Sequence, residues 1–403
     1  MQKIKDRLNT LSDNKIAIDI LGSIVSIIAG LLIGFILMLI VNPGEAIPGM
    51  WVILKGGANQ GMMSIGQMIY FAVPLVLTGL SVAFAFKTGL FNIGATGQLT
   101  MGAFVAVYIG VKWTGLGDIS PFLHWGTAVL GSIVAGALWG AMPGLLKAYR
   151  NVNEVVSSIM FNYIAMYLNT ILVKDLIYNQ ERARARDIAV SAQTPTWGLD
   201  KLFSTYDATH NVTLYSSVNI GILLVILVVA VLHILLNHTT FGYELKAVGY
   251  NRDAARYAGM NAKRNIVYSM MIAGAVAGLA GAMIFLVGGK NLIAENVLMS
   301  EGFTGIAISL LGLSTPIGVF LAALFYGSLL QGGYYIQLYT FKPEIIEIIL
   351  ATIIYFSALS LFLQKYIISA LKKKKEEPLE IEKEPLEPPK NPKVKADEGS
   401  DVK

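Results

Sequence analysis

The chain has 403 residues, 55% of them hydrophobic and 14% charged, with 40 glycines, no cysteine and a formal charge of +5. A soluble domain carries about 25% charged residues, so this balance and a mean hydropathy of +0.60 exclude an ordinary globular fold and indicate an all-α polytopic membrane protein. The absence of cysteine excludes a disulfide framework, a thiolate metal site and a thiol nucleophile.

The first segment, residues 1–17, is too charged and too far from a small-residue cleavage site for a signal peptide. It is expected to be cytoplasmic, with the apolar run after it kept as a span. Candidate spans follow over Ile18–Val41, Met62–Phe86, Leu90–Gly110, Trp125–Leu145, Val155–Val173 and Leu214–Leu236. After a polar interval come Ile266–Gly288, Val297–Leu313, Ile317–Tyr335 and Ile345–Tyr366. Crossing takes about 20 residues, which all but the short eighth approach. Ten crossings put both termini on one side, together with Lys3, Lys5, Arg7, Lys15, Lys87, Lys147, Arg150 and the run Lys372–Lys375. The positive-inside bias makes that side cytoplasmic. The outer loop 174–213 runs against the bias with Arg182, Arg184 and Arg186, but Asp175, Glu181, Asp187, Asp200 and Asp207 bring it near neutrality. Residues 18–366 therefore read as one transmembrane domain. Residues 367–403, rich in Lys, Glu and Pro, read as a disordered cytoplasmic tail whose lysine run meets anionic headgroups.

Ten spans divide as five plus five, and an odd number per half gives the halves opposite orientation, as in an inverted repeat. Gly94-Ala95-Thr96-Gly97-Gln98 and Gly302-Phe303-Thr304-Gly305 interrupt comparable places in the two halves. Interrupted spans expose backbone and helix ends to a substrate path; close packing is the other use of such glycines. Gly30-x-x-x-Gly34, Gly136-x-x-x-Gly140 and Gly274-x-x-x-Gly278 are read as packing alone. The candidate substrate pathway comprises Asn92, Gln98, Asn153, Glu154, Asn162, Glu301, Phe303 and Thr304. A buried amide is costly unless it bonds across helices or lines a wet cavity, and both roles stay open for each. Glu301 is placed to accept from a ribose hydroxyl or a base N–H, with Phe303 stacking on a ring, or else to face interfacial water.

Residues 239–264 are polar and lie between two apolar segments, with Glu244, Lys246, Arg252, Asp253, Arg256, Lys263 and Arg264 crowded together and Gly242, Gly249 and Gly259 as punctuation. Asp253–Ala258 reads as a short helix capped by Asn251, with Asp253 in its first turn. By spacing alone it is either a handle that another protein pushes or a solvated loop that fixes topology.

The run GYELKAVGYNRDAARYAGM in this interval resembles the ATPase-contacting loop of ABC importer permeases of the branched-chain amino acid, ribose and nucleoside type. Leu80–Gly102 resembles the family's other recurrent block, and Asn151–Asn162 (NVNEVVSSIMFN) resembles the form in nucleoside and simple-sugar members. The likeness covers roughly residues 60–360. It implies a coupling helix seated on a cytoplasmic ABC ATPase, with Glu244, Lys246, Arg252, Asp253, Arg256 and Tyr257 as coupling residues. It also implies a second, unlike permease subunit, an extracytoplasmic substrate-binding lipoprotein, and a site in the bacterial plasma membrane. Lipid is the surrounding partner, and no nucleic acid is expected.

Walker A is absent: Gly289-Lys290 lacks the upstream glycine and the following Ser or Thr. Four scattered histidines make no metal site. The chain is expected to be a transport subunit and no enzyme, binding no cofactor, with ATP and magnesium on the partner ATPase. The leading expectation is the permease of an ATP-driven nucleoside importer. The alternatives are a ribose-type sugar permease and an ion-coupled secondary transporter, for which Glu154 and Glu301 are the titratable candidates.

Overall fold

The computed structural model describes residues 15–207, 210–342, 344–357 and 359. The charged N-terminal head, the end of the tenth run and the tail 367–403 lie outside them. Among the described residues seven helices are long and apolar enough to cross a membrane.

Helix α1 (Lys15–Val41) is followed by a helix absent from the expected spans, α2 (Pro43–Lys55). It starts because the Asn42 side chain accepts from Gly44 N–H and Pro43 occupies a first turn that needs no donor. Then come α3 (Met62–Lys87), α4 (Ala95–Lys112), α5 (Pro121–Arg150) and α6 (Glu154–Leu172). The outer loop holds two short hairpins, β1 (Tyr178–Asn179) with β2 (Arg184–Ala185), and β3 (Ser204–Asp207) with β4 (Val212–Tyr215). The second half comprises α7 (Gly221–His238), α8 (Thr240–Tyr250), α9 (Arg252–Tyr257), α10 (Ala262–Phe285), α11 (Ser300–Leu311), α12 (Pro316–Tyr335) and α13 (344–357).

Four sequence expectations change. The third run becomes helical only at Ala95, because α3 ends in a Schellman turn. Leu90 N–H donates to Ala85 O at 2.9 Å and Gly89 N–H to Phe86 O at 3.1 Å, with Gly89 at φ +71°. The chain then re-enters the bundle as non-helical backbone over 88–94. The eighth run is helical for only 12 residues, about 18 Å against a hydrocarbon core of about 30 Å, so it is a half-helix. The sixth span begins at Gly221, since Leu214 is paired with Thr205 in the β3–β4 hairpin. The polar interval is helical on both sides of Asn251. Gly242 and Gly249 lie inside α8, where a Cβ would overlap Leu235 O and stand 2.6 Å from Thr88 C.

The inverted repeat is visible in the packing. α3 and α10 are antiparallel: the foot of α3 meets the first half of α10 through the Thr88–Ser269 hydroxyl pair, while Val73, midway along α3, and Met283, near the end of α10, both border Gly221. α4 packs on α10 as α11 packs on α3, and α5 on α10 as α12 on α3. Gly140, facing Gly274 at the midpoint of α10, also borders Gln98, and Gly305 lies against Thr78 of α3. The two half-helices thus start near mid-depth and run to opposite faces. Their N-termini touch, with Gly302 against Thr96.

The α5–α10 contact is backbone on backbone. A Cβ at Gly136, Gly274 or Gly278 would overlap a carbonyl oxygen of the facing helix, whereas Gly30 and Gly34 receive the side chains of Ile353 and Ile349 of α13. A leucine at Gly274 has no rotamer that avoids α5. Gly274→Leu should destabilise the detergent-solubilised protein by about 3 kcal/mol or more, read as a lower melting temperature. An unchanged melting curve would contradict this packing.

Candidate functional site

The re-entrant segment 88–94 is buried at Leu90 and Asn92, so its peptide groups need partners inside the protein. Three amides supply them. Asn92 Nδ2 donates to Gln98 Oε1 at 2.8 Å and to Ser81 Oγ at 2.9 Å, and Gln98 Nε2 returns a bond to Asn92 Oδ1 at 2.9 Å. Asn162, reaching in from α6, donates to Ile93 O at 3.0 Å and accepts from Gly97 N–H at 2.9 Å. It so holds both the segment and the first turn of α4. The three side chains are at most 2% exposed, so they frame the site and their hydrogen-bonding capacity is largely spent internally. Thr96 Oγ1, fully buried beside Gly302, has no hydrogen-bond partner among the described residues.

The second re-entrant segment, 286–299, is satisfied by the outer loop. Ala185 N–H donates to Leu292 O at 2.8 Å, Thr194 N–H to Leu286 O at 2.7 Å, and Thr170 Oγ1 to Glu295 O at 3.1 Å. Asn291 Nδ2 bonds Ala185 O and, at 2.8 Å, Asp187. The Asn291 amide, with Arg182 and Arg184 nearby, holds the Asp187 carboxyl below the ordinary carboxylate range against a smaller opposing effect of burial. A depressed pKa stabilises the fold above the ordinary range and ceases to do so as pH falls through the lowered value. This clasp is therefore closed at neutral pH.

Glu301, Phe303 and Thr304 lie in the first turns of the half-helix α11. Phe303 is 41% exposed, Glu301 is partly exposed, and Thr304 Oγ1 bonds Ser300 O at 3.1 Å. These three face outward from the frame. Asn153 and Glu154 are not brought to the half-helix junction. Asn153 caps α6 by accepting from Val155 N–H, and Glu154 pairs with Lys147 at 2.7 Å across the turn from α5.

At the opposite pole from the outer loop, Asn251 caps α9 by accepting from the N–H groups of Asp253 and Ala254, both at 3.0 Å. Ala255 is buried in a cluster with Ala85, Leu90, Val248, Ile266 and Met270, and Gly249 touches the backbone of Thr88 and Gly89. The polar interval therefore grips the first re-entrant segment directly. Glu244 and Lys246 brace α8: Glu244 accepts from Asn265 Nδ2 at 3.0 Å with Arg264 at 3.7 Å, and Lys246 reaches Asn237 at 3.5 Å. Arg252, Asp253 and Arg256 line a groove of about 640 Å³ together with Lys147, Tyr149 and Lys263. Tyr250 and Tyr257 are 91% and 94% exposed beside it. Tyr250, Tyr149 and Lys147 are additions to the expected set. Tyrosines within and beside the polar interval were the available signal.

The comparisons with known proteins bear on this arrangement. Residues 64–358 match the family model described as branched-chain amino acid transport system / permease component. The chain belongs to this permease family. It is 35% identical over 357 residues to the guanosine ABC transporter permease protein NupP of Bacillus subtilis, covering 88% of this chain and 97% of that one. It is 34% identical to the nucleoside ABC transporter permease protein NupB of Lactococcus lactis, covering 86% and 92%. The glucose ABC transporter permease protein TsgB13 of Haloferax volcanii is 29% identical over 85% of this chain and 88% of its own length. No solved structure matches the chain significantly. A membrane permease of this family is a transport component.

The Asn92–Gln98 pair gives a direct test of the frame. Asn92→Leu strands the Gln98 amide in a dry site and should cost about 1–3 kcal/mol. Adding Gln98→Leu should cost much less than it does alone, a coupling of about 1 kcal/mol or more in a double-mutant cycle of thermal stability. Additive losses would mean the amides do not act as a pair.

Proposed function

We propose that this chain is the membrane-spanning permease of an ATP-driven importer of nucleosides. The observation that carries the reading is near full-length similarity to two nucleoside-named permeases. The geometry agrees with it: a polar surface element is packed on the re-entrant segment that positions a half-helix. The energy comes from a separate cytoplasmic ABC ATPase that binds ATP and magnesium and seats on the groove around α9. An extracytoplasmic binding lipoprotein delivers substrate to the outer loop, and a second, unlike permease subunit completes the pathway. The chain resides in the bacterial plasma membrane with both termini and α9 cytoplasmic. Glu301, Phe303 and Thr304 face the substrate path, Asn92, Gln98 and Asn162 hold its wall, and Asn153 and Glu154 mark its inner end. The similarity to a glucose-named permease favours a simple sugar as the second reading.

In this mechanism closure of the ATPase moves α9 with α8, these carry Leu90 and Gly89, and the amide frame passes the displacement to α4. Arg252 and Arg256 are one turn apart and supply cationic anchors for acidic groups on the ATPase.

Uptake of labelled guanosine into vesicles holding the assembled complex should follow ATP and ignore an imposed proton gradient. Uptake driven by the gradient alone would refute the importer reading, and uptake of glucose in preference to guanosine would select the second one. Arg252→Glu combined with Arg256→Glu should release the ATPase on co-purification, whereas Arg256→Ala alone, losing one rim-type pair worth about 1 kcal/mol, should weaken coupled transport without releasing it. Full retention of the ATPase by the double reversal, with normal transport, would reduce the loop to a topological spacer.

A further inference from the structure

The loop 174–213 holds a tryptophan in a backbone conformation that large side chains resist. Trp197 lies at φ +46° and is 69% exposed, with Gly198 at φ +81° after it. A bulky residue in the left-handed region is strained and persists only where its surroundings fix it. Both flanks of this turn are fastened. Thr194 N–H donates to Leu286 O at 2.7 Å, Ile220 N–H to Pro195 O at 3.0 Å and Leu199 N–H to Thr196 O at 2.9 Å. The turn so held projects the indole outward, where its ring stacks on that of Phe122 with centroids 6.5 Å apart.

Phe122 stands in the first turn of α5 and heads an apolar stripe. Leu123, Leu130, Val134, Leu138 and Leu145 are exposed at intervals of four or seven residues, on the face opposite the glycines that meet α10. No Asp, Glu, Lys or Arg occurs from Leu123 to Leu145. That interval is about 33 Å long at the helical rise, close to a hydrocarbon thickness of about 30 Å. Tyr149, exposed at the far end with Lys263 Nζ 5.3 Å from its ring, marks the other boundary. By this measure Phe122 and Trp197 fall at the membrane–water interface, where aromatic rings with a polar handle are favoured. More apolar surface is seated there. Ala189 N–H donates to Gly110 O at 2.9 Å, and Ser191 Oγ pairs with His124 Nδ1 at 2.9 Å. These bonds set the turn around Val190, 83% exposed, on the ends of α4 and α5, whose connection exposes Trp113 and Ile119.

We propose that this patch, centred on Trp197, is a lipid-interface anchor whose indole and apolar neighbours insert into the headgroup–acyl boundary of the leaflet on the loop's side. The partner is the uncharged glycerol-ester layer of the lipid. Residues 188–198 carry no charge, and Lys112 and Asp118 cancel within 110–123, so no charged headgroup is selected. The indole N–H is a donor only, which suits an ester carbonyl. The anchor bears on the second re-entrant segment. Thr194, three residues before Trp197, is one of the groups that satisfy that segment, through Leu286 O. Seating the turn in the interface holds this bond against motion of the loop. The inference is independent of the substrate carried.

The chain has no cysteine, so a single Thr196→Cys in the full-length protein carries a nitroxide beside the indole. Gln180→Cys, exposed in the first hairpin of the same loop, is the aqueous control. Both are reconstituted in phosphatidylcholine vesicles, before and after assembly with the partner subunits, and read by spin-label relaxation. The label at 196 should collide readily with oxygen, which concentrates among acyl chains, and be shielded from a water-soluble nickel chelate that reaches the label at 180. Equal access of the chelate to both labels would overturn the inference. So would shielding of the label at 196 from oxygen and chelate alike after assembly, since a protein would then cover the patch. A second measurement reads the consequence by hydrogen exchange in the same vesicles. Trp197→Asn accepts the left-handed backbone but loses the anchor, and should speed exchange of the peptide containing Thr194 severalfold. Trp197→Tyr, which keeps an aromatic ring with a polar tip, should preserve the protection. Unchanged protection in Trp197→Asn would overturn the anchoring role.

Discussion

A backbone that leaves the helix inside an apolar slab must find every hydrogen bond within the protein, and this requirement shapes both halves of the permease. In the first half three side-chain amides do it. Asn92 and Gln98 close a reciprocal pair, and Asn162 crosses from α6 to hold Ile93 and Gly97. In the second half main-chain groups of the outer loop do it, through Ala185 and Thr194. Each half-helix can begin near mid-depth only because its non-helical lead-in is satisfied in this way. The two solutions differ in stiffness. Buried amides lock a segment locally, whereas the loop 174–213 binds the second segment from the end of the bundle opposite α9.

Glycine makes the frame compact enough to hold. Lipid tails give helices no hydrophobic incentive to associate, so close dispersion contacts between backbones supply the attraction. The α5–α10 seam, with Gly136, Gly140, Gly274 and Gly278 face to face, is the clearest case. It fixes α10 as the post on which α4 and α5 both rest. The meeting of Gly249 with Gly89 is the same device, two backbones in direct contact with no side chain between them. The α8–α9 element, the re-entrant segment and α4 are consequently one packed series, with Ala255 and Leu90 as its joint.

This series also separates two kinds of polar residue that look alike in a list of sequence positions. Asn92, Gln98 and Asn162 are satisfied and buried, so their chemistry is spent on the protein. Glu301 and Phe303 keep exposed surface, so theirs is free for something outside the chain. Glu244 and Lys246 likewise brace α8, while Arg256 and Tyr257 face outward.

Much of the architecture was legible in the residues. Hydrophobic runs located the spans because a bilayer demands about 20 apolar residues in a row. Asn251 announced the start of α9 because capping is a local interaction within one turn. The glycine pairs marked close helix contacts, and the two Gly/Thr interruptions marked both half-helices. Helix α2 and the helical character of α8 escaped, since glycines that look like punctuation were required by an approaching backbone elsewhere in the fold. The turn of Glu244 toward Asn265 and the reach of Asn162 to Ile93 and Gly97 join residues that lie far apart in the chain. The sequence by itself determined most of the segments that enter the membrane and the capped start of α9, because those depend on composition and neighbours along the chain. Only the tertiary structure decided which polar groups are consumed inside and which stay free, because satisfaction of a hydrogen bond depends on what lies across the bundle.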